Sequence, residues 1–222
     1  MVKRFAISLL LAVFALATAA RADMGPTAHG PPNTAEAAFV KSIQADLMHR
    51  FPTAADAEKA GYVRYTNEDD TGAISYANRQ WDSRDAKHPS QLWYDTSGKL
   101  LGADFSVPAT SKERPHLWGI GPGRWTQFDA HVHYVARDPQ TGKMLYDKYV
   151  TNDKFKAAGG DPENPQAATL VKLGRVTSPK DIMTVFLFPD IWDLIVWVKP
   201  NPSGAFADKN PLVHVTAAHP AM

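Results

Sequence analysis

The stretch Phe128 to Val150 (FDAHVHYVARDPQTGKMLYDKYV) decides the reading of this chain. Phe128 to Arg137 alternates apolar and polar residues, as a half-buried strand does. Asp138-Pro139-Gln140-Thr141-Gly142 then has Asp near the start of a turn and Gly at its left-handed end. Lys143 to Val150 returns as a second strand. Strand side chains alternate, so Asp129, His131 and His133 share one face while Ala130, Val132 and Tyr134 share the other. A five-residue turn pairs Arg137 with Lys143. That register sets His133 opposite Asp147 and His131 opposite Tyr149. The expected hairpin has one face of His, His, Asp and Tyr, and an apolar face of Val132, Tyr134, Tyr146 and Val150.

Two imidazoles two residues apart on a strand lie about 6–7 Å apart at the backbone and can reach one metal ion. Asp147 joins them as a third ligand or as a carboxylate that orients an imidazole. His131, His133 and Asp147 are therefore the candidate metal-ligating residues, and imidazole with carboxylate suits zinc, copper(II) or non-haem iron. The competing reading is a polar strand face whose histidines bond to neighbours and water. His116 stands apart. Gly119 to Gly123 reads as a turn that pairs His116 with Thr126, about 16 Å along the strand from His131. His214 lies on an expected last strand.

Working outward, the chain reads as α+β, with N-terminal helices packed on a largely antiparallel sheet in one domain, residues 34–222. Asn33 or Thr34 caps a helix whose Phe39, Val40, Ile43 and Leu47 recur at helical spacing until Phe51-Pro52. Thr53 caps a second, short helix that Gly61 stops. Tyr62–Tyr65 and Ala73–Ala77 read as strands around a solvated acidic turn that holds Glu68, Asp69 and Asp70. Leu92–Tyr94 and Lys99–Val107 form another hairpin around Asp95-Thr96-Ser97-Gly98. Ala167–Leu173 reads as a short helix and Ser178 to about Phe186 as another. Ile191–Val198 (IWDLIVWV) is nearly all apolar and reads as a central strand. Leu212–Thr216 reads as the final strand. Trp81, Trp93, Trp118 and Trp125 are read mainly as core, with a ligand groove as the alternative.

Residues 1–22 have the form of a secretory signal: Lys3-Arg4, an apolar run, and Ala20-Arg21-Ala22 as a cleavage site. The run is too short for a comfortable membrane span, which needs about 20 residues, and no cysteine follows it to carry a lipid anchor. The expected location is secreted, and periplasmic in a Gram-negative cell. Residues 23–33 read as a flexible lead-in. The leader carries Lys3, Arg4 and Arg21 of the 24 basic residues and none of the 23 acidic ones, so the remaining 200 residues have a formal charge of −2. That balance, without a basic run, argues against nucleic acid as a partner. The absence of cysteine excludes a thiolate zinc site, an iron–sulfur cluster, covalent c-type haem and a cysteine nucleophile. Neither a Gly-x-Ser-x-Gly elbow nor a His-Glu-x-x-His helix is present. The leading functional expectation is a binding protein that holds a small ligand or metal ion at His131, His133 and Asp147. A metal-dependent enzyme at the same residues, with Tyr149 or Asp129 assisting proton transfer, is the rival. A structural or interaction domain is the third reading.

Overall fold

The computed structural model describes residues 28–78 and 85–216. The leader, residues 23–27 of the lead-in, Trp81 and His219 lie outside the described residues. Helix α1 (Thr34–Arg50) begins at Asn33, whose side chain accepts from the Glu36 amide while the Glu36 carboxylate accepts from the Asn33 amide. This reciprocal cap satisfies two amides that no helical carbonyl reaches. Helix α2 (Ala54–Lys59) follows, with the Thr53 hydroxyl accepting from the Asp56 amide.

The strands are β1 (Val63–Arg64), β2 (Ile74–Ala77), β3 (Gln91–Tyr94), β4 (Leu100–Pro108), β5 (Thr126–Phe128) and β6 (His131–Arg137). Then come β7 (Met144–Thr151), two short helices α3 (Asn152–Ala157) and α4 (Ala167–Lys172), and β8 (Ile182–Phe188) and β9 (Ile191–Trp197). They form two antiparallel sheets, one in the order β1-β2-β3-β4-β9-β5 and one in the order β7-β6-β8. The expected α+β class, with an N-terminal helical layer and antiparallel sheet, is the observed one.

Alternation gives the larger sheet two unlike faces. Leu92, Tyr94, Phe105, Val107, Trp192, Leu194 and Val196 join Val40, Ile43 and Leu47 of α1 in one apolar cluster. Phe39 sets its ring edge-on to Phe105, 5.8 Å between centroids. Burying each such side chain contributes about 1.5–3 kcal/mol, which makes this the main stabilising layer. The other face carries Ser75, Gln91, Asp104, Ser106 and Asp193, all buried. In the smaller sheet, Val132, Tyr134, Ala136 and Val150 pack with Phe155 of α3 and Leu170 of α4. Its opposite face holds His131, His133, Phe186 and Phe188 and looks toward the polar face of the larger sheet.

Two short passages carry the chain between the sheets. Asp129-Ala130 links β5 to β6, and Pro189-Asp190 links β8 to β9. They are tied together, since the Ala130 amide donates to Asp190 Oδ1 at 2.8 Å. A second tie lies on β7, where the Asp147 amide donates to the Tyr65 carbonyl at 3.1 Å and Asp147 Oδ2 accepts from the Asn67 amide at 2.7 Å.

Several expectations are corrected. Ser178-Pro179 opens only one 3-10 turn, Pro179–Asp181, and the β-branched and aromatic residues after it form β8. Residues 212–216 are not a strand; Val213 packs beside Trp93 and Trp197 instead. β5 pairs with β9, so the expected pairing of His116 with Thr126 does not form. Glu68 is buried rather than solvated, and accepts from the amide and hydroxyl of Thr216 at 2.7 and 2.6 Å.

Candidate functional site

The hairpin register differs from expectation twice. Arg137 pairs with Met144 rather than Lys143, a shift of one residue at the turn. A bulge then places Tyr146 and Asp147 against Val135, and beyond it Tyr134 pairs with Lys148, His133 with Tyr149 and His131 with Thr151. Asp147 is the bulge residue and has a φ of 57°, the left-handed conformation that Asp tolerates better than most residues. The two shifts add to two residues, so strand parity is preserved. His131, His133, Tyr149 and Thr151 still share a face, but Tyr149 takes the position expected for Asp147 opposite His133. Tyr146 leaves the apolar outer face and packs against Tyr65, Val135 and Phe186.

β8 completes the row from the other side, with His133 opposite Phe186 and His131 opposite Phe188. His131 stacks on Phe188 at 4.8 Å and 17°, and His133 stacks on Phe186 at 5.7 Å and 16°. The two imidazole centroids are 4.8 Å apart. Tyr149 meets His131 edge-on at 5.4 Å, and Tyr65 meets His133 edge-on at 5.2 Å. The two histidines differ chemically. His131 Nδ1 lies 2.8 Å from the Asp129 carbonyl, which only accepts, so Nδ1 carries a proton. His133 Nδ1 is buried without a hydrogen-bond partner. Burial first, and the neighbouring His131 second, push the His133 pKa down to about 3, so the ring is neutral at physiological pH.

Facing this aromatic wall is a polar one. Trp93 Nε1 donates to Asp104 Oδ2 at 2.8 Å, and Ser106 Oγ donates to Asp193 Oδ1 at 2.7 Å. Ser90 Oγ lies 2.7 Å from Ser106 Oγ and extends the network. The Asp104 and Asp193 carboxyls also hydrogen-bond to each other. Burial, and then the adjacent Asp193 charge, hold the Asp104 carboxyl well above the usual carboxylate range. Asp104 and Asp193 are 6% and 4% exposed. The Tyr65 hydroxyl donates to Gln91 Oε1 at the edge of the same wall.

Between the walls lies a cleft of about 960 Å³. Its lining includes all three sequence-predicted residues, His131, His133 and Asp147, together with Tyr149, Trp93, Asp104 and Asp193. They share a cleft but not a ready-made ligand set. The Asp147 carboxylate is engaged by the Asn67 amide, and a His133 that ligates through Nε2 would leave a buried Nδ1–H with no acceptor. Among the described residues no group of three or more His, Cys, Asp or Glu side chains is arranged to hold a metal ion. His116 borders a separate hollow beside Trp192. Trp118 and Trp125 belong to the α1-side core, and Trp93 lines the cleft.

Sequence reasoning missed the polar wall. Its signal was a single acidic residue, Asp193, inside the otherwise apolar IWDLIVWV, and the Asp104-x-Ser106 alternation in β4. A carboxylate at the centre of a buried strand needs a partner, and that requirement points to the pair. Comparison with protein-family models, with curated proteins and with solved structures finds no match for this chain.

Proposed function

We propose that the chain is an exported binding protein for a small organic ligand held in the cleft between its two sheets, in the periplasm where the host is Gram-negative. The observation that supports this reading is the cleft itself, with a stacked aromatic wall facing a buried hydrogen-bonding wall. Ligand sites combine apolar enclosure with a few fixed polar groups in this way. The aromatic row supplies contact area, and the Asp104, Asp193 and Tyr65 network supplies orientation. No helix among the described residues is long and apolar enough to cross a membrane.

Thr151 is exposed and lines the cleft, so Thr151→Trp fills the mouth without disturbing the core. Ligand-observed NMR with a fragment library on both proteins tests the reading. Fragments should bind the wild type and be lost from the variant. Equal binding to both, or no binding to the wild type, overturns it.

A metal ion on His131 and His133 is the second reading, and the observation favouring it is the 4.8 Å imidazole pair with the His131 Nδ1 tied to a carbonyl. A metal-dependent enzyme would use the same two ligands. Elemental analysis of protein purified from its own host, beside the His131→Ala/His133→Ala variant, decides it: zinc, copper or iron present in the first and lost in the second supports a metal centre, and none in either rejects it.

A further inference from the structure

The cleft-facing side of the larger sheet is polar only in part. Trp93, Leu101 and Trp197 come together on it, with Ala73 and Ile195 beside them. What lies over this apolar floor is neither strand nor helix but the chain at residues 211–216, where Val213 packs into it. The approach is close enough to need glycine beneath it. A Cβ on Gly72, whose φ is 81°, would stand 2.6 Å from Val213 Cγ1. Ala73, Trp93 and Ile195 also line the cleft, so the floor under Val213 is continuous with it.

We propose that residues 211–216 form a displaceable strap whose lifting extends the cleft onto Trp93 and Trp197, and that a clasp between Glu68 and Thr216 sets how often it lifts. This deepens the reading of the cleft as a ligand site, on which it rests. The chain just before the strap is firmly rooted. Phe206 is buried in the α1-side core, Trp197 Nε1 donates to the Ala207 carbonyl at 2.6 Å, and the buried Asn210 donates to the Pro200 carbonyl at 3.0 Å. Pro211 follows at once, and the character of the attachment changes. Among the described residues no backbone–backbone bond joins residues 211–216 to a strand. All of them except Val213 are exposed. Lys199 Nζ donates to the Leu212 carbonyl at 2.8 Å from an exposed position.

Val213 and the clasp are therefore the contacts that hold the strap down. The clasp is the stronger by its chemistry, because the buried Glu68 carboxylate accepts from both the amide and the hydroxyl of Thr216. A segment held by one apolar side chain and a few side-chain bonds opens at lower free energy than the strands beneath it. Glu68 also stands next to Asn67, whose amide is gripped by Asp147 of β7. The clasp and the β7 tie thus meet at adjacent residues, and the strap is connected through them to the opposite rim of the cleft. With the strap lifted, Trp93, Leu101 and Trp197 offer a floor for an apolar arm of a molecule bound in the cleft.

The chain has no cysteine, so a single introduced thiol reports its own accessibility. Ala73→Cys places one under the strap, where the native residue is 3% exposed, and Ala136→Cys places one in the core of the smaller sheet. Labelling with dilute N-ethylmaleimide, followed by mass spectrometry, measures how often each site opens. Ala73→Cys should label faster than Ala136→Cys. Adding Thr216→Val should speed Ala73→Cys about tenfold, as loss of one charge-assisted hydrogen bond predicts, and leave Ala136→Cys unchanged. Thr216→Ser, which keeps the hydroxyl, should restore the slow rate. If Ala73→Cys alters the near-ultraviolet circular dichroism, Ile195→Cys in the same floor replaces it. Equal labelling of the floor and core sites overturns the strap, because the floor would then open only with the whole fold. Equal acceleration of both sites by Thr216→Val also overturns it. A floor rate that Thr216→Val leaves unchanged overturns the clasp. Labelling needs no ligand, so these outcomes are read separately from the fragment-binding test of the cleft.

Discussion

His133 concentrates the tension of the site in one side chain. Its ring is stacked on Phe186, met edge-on by Tyr65, and left with a buried nitrogen that nothing satisfies. Folding depresses its pKa from an ordinary 6.5 to about 3. Between those values the unfolded chain binds a proton that the folded chain refuses, so stability falls as pH drops through that window and is full above it. The expected size is a few kcal/mol, because each tenfold loss of proton affinity corresponds to about 1.4 kcal/mol. His133→Phe keeps the stack and removes the titration. Urea unfolding across the window should show a flatter pH dependence in the variant; an unchanged slope would place the acid sensitivity elsewhere. Asp104 works in the opposite direction, because its raised pKa makes the folded state hold a proton as pH rises. Its contribution is full below the ordinary carboxylate value and is lost as pH climbs through the raised one.

At the scale of elements, the β7 bulge does two jobs. It places Asp147 in a left-handed conformation and aims its amide and carboxylate at Tyr65 and Asn67, in the segment that follows β1 of the other sheet. Asp147→Gly keeps the backbone comfortable and loses only the carboxylate. Asp147→Ala loses the carboxylate and adds strain at positive φ, of order 1 kcal/mol. Thermal unfolding should therefore rank wild type above Gly and Gly above Ala; an Ala variant equal to Gly would mean the bulge relaxes. The same bulge explains what the sequence conveyed and what it hid. Alternation in Phe128–Arg137 was legible and put both histidines on one face. Register was not, because a turn shift and a bulge each moved the pairing by one residue, and Asp147 gave only a weak sign of a left-handed position. Caps such as Asn33 with Glu36 were legible because they are local. The Asp104–Asp193 pair was not, because it depends on two strands meeting across 89 positions of chain, one of which reads as apolar on average.

For the molecule as a whole, the two sheets differ in how they are protected. β4 and β9 lie inside the larger sheet and bury nearly every residue, with α1 packed over one face. β7 is an edge strand with exposed residues along its length. Native-state hydrogen exchange should find the slowest amides in β4 and β9 and earlier opening in β7. Uniform protection across both sheets would instead mean that they open only together.

The passages Asp129-Ala130 and Pro189-Asp190 carry a further consequence for how such a chain can change over time. Each is two residues long and leads directly into a strand that lines the cleft. Inserting or deleting one residue in the first, with β6 keeping its place in the sheet, turns His131 and His133 outward and Val132 and Tyr134 inward. The same event in the second exchanges Asp193 for its apolar neighbours. Homologues that keep the cleft will keep both passages at fixed length, and their gaps will collect in the turn at residues 138–143 and the loop at residues 159–166.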